Sequence, residues 1–211
     1  MYLNPVTPKN YGWLQLQLND EYITHIWDCI NTAPIASHKK NLIGHVEKSI
    51  LVKDKNNKLF NDVMLMLIEE YGKHWGHEHT DIPMVDQYCQ YYMSDFWVNY
   101  QNQHEYNPIH NHRGIYSFAA WLKIPTDFKE QAQHYTSVDA NNPTNSSFIF
   151  EYTNTLGQIK TYMYQLDPSW EGTLLFFPSA LRHAVHPFYD CEEQRVSISG
   201  NIMLRPKNEN E

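Results

Sequence analysis

The sequence predicts a mainly β fold, a sandwich or barrel with helices packed on one face. Two observations carry this reading. Downstream of Pro83 the chain breaks into short β-branched and aromatic segments, separated by turn clusters such as DANNPTNSS and DPSWEG, the signature of an antiparallel core. The aromatic content is 14%, with fifteen tyrosines, and aromatic rings favour pleated sheet over helical bundle. At 211 residues the chain is long enough for a single domain with a sizeable core. Residues 1–83 read as its mixed, mainly helical N-terminal part, residues 84–204 as the β core and residues 205–211 as a disordered tail.

From Asp20, DEYITHIWDCINTA places Ile23, Ile26, Trp27 and Ile30 on one helical face, with Pro34 as a stop. HVEKSILVKDKNNK reads as a strand followed by a turn. A second helix is expected over 59–74, with Val63, Met64, Leu67, Ile68 and Tyr71 as its apolar stripe and Gly76 near its end. The strand candidates after it are MVDQYCQYYMSDFWVNYQ, IYSFAAWLKIP, SSFIFEYT, IKTYMYQLD, GTLLFFPS and RVSISGNIML. No internal repeat or low-complexity linker interrupts them.

Composition excludes several classes of function. The formal net charge is -8 and no block of lysine or arginine stands out, which argues against a nucleic-acid groove or a membrane-surface patch. No run approaches the ~20 apolar residues that span a bilayer, and MYLNPVTPKNYGW lacks the blocks of a signal peptide. Cys29, Cys89 and Cys191 are odd in number and far apart. They form neither a disulfide framework nor a CxxC clip, so a cytoplasmic location is expected. In that setting the Asn145-Ser146-Ser147 sequon carries no meaning.

Twelve histidines offer several candidate metal ligands. In NPIHNHRGIYSFAAWL, His110 and His112 are two apart at the entrance to a strand, a spacing that turns both rings to one side of an extended chain. Imidazole pairs suit iron, zinc, copper and nickel, although two exposed loop histidines would give the same string. In FFPSALRHAVHPFYD, His183 follows an apolar strand closely enough to be held rigidly, whereas His186 precedes proline and reads as a turn residue. His74, His77 and His79 lie at a helix end, where interaction with the last carbonyls explains them without a metal. In EEQRVSISGN, alternation puts Arg195, Ser197, Ser199 and Asn201 on one face. An arginine fork there would suit a carboxylate; a solvated face is the plainer alternative.

Taken in order, HxH, about seventy residues, a strand-end histidine and an arginine twelve residues later resemble the Fe(II)- and 2-oxoglutarate-dependent oxygenases. Within that superfamily, FWVNYQ, NPIHNH, SFAAWLKIP, LFFPSALRHAVHPF and RVSISGN are similar to blocks of prolyl-hydroxylase-like proteins of tailed marine phages. The resemblance covers roughly residues 84–204, more weakly NLIGHVEKSILV, and hardly the first helix. It implies a double-stranded β-helix (jelly-roll or cupin-like) core. It also implies Fe(II), 2-oxoglutarate as co-substrate and O2, a hydroxylase activity, and a location in the host cytoplasm for a phage-encoded chain.

By the same resemblance His110 and His183 match iron ligands, Arg195 matches the residue that pairs with the far carboxylate of 2-oxoglutarate, and Ser197 matches an assisting hydroxyl. The position two after the first ligand is normally Asp or Glu; here it is His112. Either His112 is a third nitrogen ligand or water takes its place. Two alternatives therefore stand beside the oxygenase: a cupin-like three-histidine metal dioxygenase that does not use 2-oxoglutarate, and a non-catalytic jelly-roll binding protein. Trp97, Tyr100, Tyr116 and Trp121 are candidates for a pocket lining or for core packing. The residues leave open the primary substrate, a peptide side chain or a small molecule, and the oligomeric state.

Overall fold

The computed structural model describes residues 3–34, 37–39, 43–77 and 89–206. Ten strands form two antiparallel sheets. They are β1 (Leu14–Gln17), β2 (Lys48–Leu51), β3 (Cys89–Gln101), β4 (Asn107–His110), β5 (Tyr116–Lys123), β6 (Ser147–Thr153), β7 (Ile159–Gln165), β8 (Thr173–Pro178), β9 (Arg182–Val185) and β10 (Arg195–Pro206). The six-stranded sheet runs β1-β8-β5-β10-β3-β2 and the four-stranded sheet β4-β9-β6-β7. From β3 onward successive strands alternate between the two sheets, except for the β6–β7 hairpin, which stays within the small sheet; this is the layout of a double-stranded β-helix. The expected fold class is the observed one.

Helices α1 (Asp20–Asn31) and α2 (Leu65–Trp75) cover the outer face of the large sheet. Asn19 caps α1, its side chain accepting from the Tyr22 N–H, as a short polar residue does at a helix start. The helix ends at Asn31 with Thr32 as its cap, before Pro34 is reached. Helix α2 is entered through a π turn at Phe60–Met64 and stops at Gly76, whose φ of 84° suits glycine. All five residues of its expected stripe are buried. On α1, Ile26 and Ile30 are buried while Ile23 and Trp27 pack at the edge of the core.

Strand β8 explains how the layers hold together. Leu174 and Phe176 face the helices, Leu175 and Phe177 face the small sheet, and all four are buried. An unbroken apolar run is what a strand covered on both faces requires. Strands β3 and β10 share the helix side through Phe96, Val98, Val196, Ile198 and Ile202, but their other face is polar. Strand β10 continues through Arg205 and Pro206, so the expected tail begins two residues too early; residues 207–211 lie outside the described residues.

Gly200 lies where β10 passes closest to its neighbours. A Cβ there would stand 2.5 Å from Phe118 Cε1 and 2.8 Å from the Asp95 carbonyl oxygen. Backbone cannot yield as a flexible side chain can, so Gly200→Ala is expected to lower stability by about 1–3 kcal/mol, read as an earlier midpoint in urea unfolding.

Candidate metal and co-substrate site

His110 ends β4 and His183 is the second residue of β9, and the two are directly paired across the ladder. His112 lies two residues beyond His110, its backbone N–H donating to the Ser179 carbonyl at 2.9 Å. The three rings converge: centroids are 4.3 Å apart for His110–His183, 4.9 Å for His112–His183 and 5.1 Å for His110–His112. Each offers a ring nitrogen, and these nitrogens all lie within 4.8 Å of one another.

The tautomers follow from the partners. The Pro108 carbonyl faces His110 Nδ1 at 2.7 Å and the Leu181 carbonyl faces His183 Nδ1 at 3.0 Å. A carbonyl only accepts, so Nδ1 carries the proton in both rings and Nε2 keeps its lone pair. His112 Nε2 is 3.1 Å from His183 Nε2. Two cis ligands, each about 2.1 Å from one ion, stand roughly 3 Å apart.

Burial holds all three imidazoles below their ordinary pKa. The His112 ring is pushed to about 4 by desolvation and then by the neighbouring His110 and His38, and the His183 ring lies well below 6.5 for the same leading reason. Neutral imidazole is the form that ligates metal. The donor set therefore fits a divalent ion of the iron or zinc kind.

The same cavity, open at one side, is lined by Arg195, Ser197 and Ser199 of β10 and by Trp97, Asn99 and Gln101 of β3. Arg195 is the largest fully buried side chain of the described residues, at 1% exposure. One terminal nitrogen donates to Ser146 Oγ at 2.6 Å, the other to Gln101 Oε1 at 3.4 Å, and the guanidinium stacks 4.9 Å from the Phe188 ring centroid. Its Nε–H has no partner among the described residues. Among the described residues no carboxylate pairs with it, and burial alone pushes it down to about 9, so it remains charged near neutrality. A buried cation without an anion costs several kcal/mol. That charge lines the cavity.

The structure sorts the remaining sequence candidates. Ser197 and Ser199 line the cavity as the alternation required; Asn201, next along that face, lies beyond the lining, its side-chain oxygen accepting from Ser117 Oγ at 2.9 Å. His186 stands apart from the three histidines, its N–H bound to the Ser147 carbonyl. His74 pairs with Glu70 at 3.2 Å, while His79 lies outside the described residues. Trp97 and Trp121 line the cavity, whereas Tyr116 is core and Tyr100 lies under the Lys48 ammonium.

Sequence reasoning missed Gln101, Asn99 and Ser146. The first two were legible, because WVNYQ alternates Trp97, Asn99 and Gln101 onto one face. Ser146, fully buried with φ +58°, carries no local signal. It comes from the sequon that composition set aside.

Residues 95–201, half of the chain, match the model of the 2OG-Fe(II) oxygenase family. The chain belongs to that family. An oxidoreductase of the 2OG-Fe(II) oxygenase family from Burkholderia pseudomallei superposes with a TM-score of 0.57 at 12% identity, covering 91% of this chain and 84% of that one. A prolyl-4-hydroxylase from Pseudomonas putida (TM-score 0.48, 12% identity, 94% of both chains) is also similar. So is the viral collagen prolyl hydroxylase of Paramecium bursaria Chlorella virus-1 in complex with 2OG (TM-score 0.48, 14% identity, 90% of this chain and 94% of that one). No curated protein matches the chain. Membership makes the protein an oxidoreductase and implies Fe(II), 2-oxoglutarate and O2, with His110, His112 and His183 available to hold the iron. No helix among the described residues of this oxygenase is long and apolar enough to cross a membrane.

Proposed function

We propose that this oxygenase is a hydroxylase in which His110, His112 and His183 hold Fe(II) and Arg195, assisted by Ser197, holds the far carboxylate of 2-oxoglutarate. One observation carries the reading: Arg195 is buried, with no anionic partner among the described residues, in the cavity that contains the three histidines. Of the two alternatives, a three-histidine dioxygenase that ignores 2-oxoglutarate has no use for this cation, and membership of the oxygenase family argues against a non-catalytic binding module. The primary substrate proposed is a protein side chain or small molecule, in line with the prolyl-hydroxylase-like phage proteins that the motifs resemble. The cytoplasm is the proposed location, consistent with three free cysteines.

Bound iron would supply the oxygen activation coupled to decarboxylation of 2-oxoglutarate, chemistry that belongs to the cofactor. The protein's part is positioning. The Pro108 and Leu181 carbonyls orient two imidazoles with Nε2 toward the cavity, the outer-shell support that metal-ligating histidines use. Ser146 and Gln101 hold the guanidinium in place. Trp97, Trp121 and Phe177 give the cavity part of its apolar wall, beside which charge interactions are stronger than in bulk water.

Three neutral ligands leave a divalent ion one unit more positive than the usual pair of histidines with a carboxylate, and a dianionic co-substrate restores the balance. The test is 2-oxoglutarate titrated anaerobically into manganese-loaded protein, followed by succinate release in air with iron. One equivalent bound per chain and succinate formed are expected; no binding would overturn the reading. In the same assay His112→Ala should lower metal affinity by more than the ~10–100-fold typical of outer-shell losses, whereas His112→Asp should retain metal.

A further inference from the structure

A second group of ligand-type side chains lies outside this cavity. His25 and Cys29 are one turn apart on α1, so their side chains share a face, and Asp54 approaches that face from the loop after β2. Cys29 belongs to the core between the helices and the outer face of the large sheet, whereas the three histidines of the oxygenase site line the cavity on the inner face. His25 Nε2 is 2.8 Å from Asp54 Oδ1 and 3.5 Å from Cys29 Sγ, and the three donor atoms lie within 4.8 Å of one another. Cys29 and Asp54 are buried; the His25 side chain is 12% exposed and gives access from solvent.

The arrangement is not a nucleophile relay. A cysteine–histidine–aspartate triad places the thiol and the carboxylate on opposite ring nitrogens; here both meet the same Nε2. Convergence of a nitrogen, a sulfur and an oxygen on one point is instead the donor pattern of zinc.

The surroundings match. The Leu59 and Phe60 N–H groups donate to the two Asp54 oxygens at 3.1 and 2.9 Å, and the Lys55 N–H donates to Cys29 Sγ at 3.4 Å. Backbone donors of this kind orient a carboxylate and stabilise a sulfur that has lost its proton to a metal.

We infer that His25, Cys29 and Asp54 form a second metal site, for a zinc-type divalent ion with water as fourth ligand, that ties α1 to the turn opening α2. The site is independent of the oxygenase chemistry and is tested separately. Cobalt(II) titrated into the intact protein under argon gives a sulfur-to-metal charge-transfer band only where a thiolate is bound, so the all-nitrogen site is silent in that region. Two cobalt ions per chain and such a band are expected. Cys29→Ser should lose the band and one equivalent; a variant with His110 and His183 both changed to alanine should keep the band and lose the other equivalent. His25→Ala, at the exposed edge of the group, should also lose the band and serves if Cys29→Ser does not fold. Saturation at one cobalt per chain with no thiolate band in the unaltered protein, or a band that survives Cys29→Ser and His25→Ala, would overturn the inference.

Discussion

His183→Ala is expected to abolish iron binding at the oxygenase site, while His186→Ala leaves it intact. His183 is 4% exposed and its ring lies 4.3 Å and 4.9 Å from those of the other two histidines. Its removal takes away the ligand that β9 alone supplies. His186, three residues on and beyond the end of β9, contributes nothing to that group. The ring also packs against Phe148 and Phe177, with centroids 5.7 and 5.1 Å away, so alanine opens a cavity that costs about 2–4 kcal/mol. His183→Gln keeps most of the volume and separates the two effects. It should melt close to the unaltered protein and still bind iron at least ~100-fold more weakly, more than outer-shell losses cost. Equilibrium dialysis against iron(II), or manganese(II) in its place, checks both variants. Unchanged affinity in both would remove His183 from the metal site.

Arg195→Met should have two opposite effects. Loss of one side of a buried arginine–carboxylate contact costs ~2–5 kcal/mol, so 2-oxoglutarate affinity should fall by about 30-fold to several thousand-fold with metal affinity nearly unchanged. In the absence of 2-oxoglutarate the same variant should be no less stable than the parent. Its long apolar chain replaces a guanidinium that is buried without a counter-ion and pushed down to about 9 by that burial, and apolar replacements of buried charges are often neutral or stabilising. Calorimetry on manganese-loaded protein and thermal melts without ligand read the two halves. Normal 2-oxoglutarate affinity would release Arg195 from its proposed role. Unfolding of the variant alone would instead mean that its bonds to Ser146 and Gln101 hold the sheet edge together.

Much of the fold was legible because strand and helix periodicities are local. RVSISGN alternates a buried apolar row against Arg195, Ser197 and Ser199, and the stripe from Val63 to Tyr71 puts one face of α2 into the core. The start of α2 was less legible: it is entered through a π turn at Phe60–Met64, and the Leu59 N–H just before that turn donates to Asp54, a residue outside the apolar pattern. Cys29 was read only through its lack of a disulfide partner. Its proximity to Asp54 depends on how α1 lies across the sheet, which no spacing in either segment encodes.

By itself, then, the sequence determined which residues share a face: His110 with His112 at the end of one extended segment, Arg195 with Ser197 along one strand. Tertiary structure alone decided that His183 stands opposite His110. It also decided that Ser146, 49 residues before Arg195, receives the guanidinium, and that no carboxylate among the described residues neutralises it. The physical reason is the range of the forces involved. Side-chain direction along a strand is set by backbone geometry within two residues. Pairing across sheets, and the presence or absence of a counter-charge in a buried cavity, are set by register and packing between segments far apart in the chain.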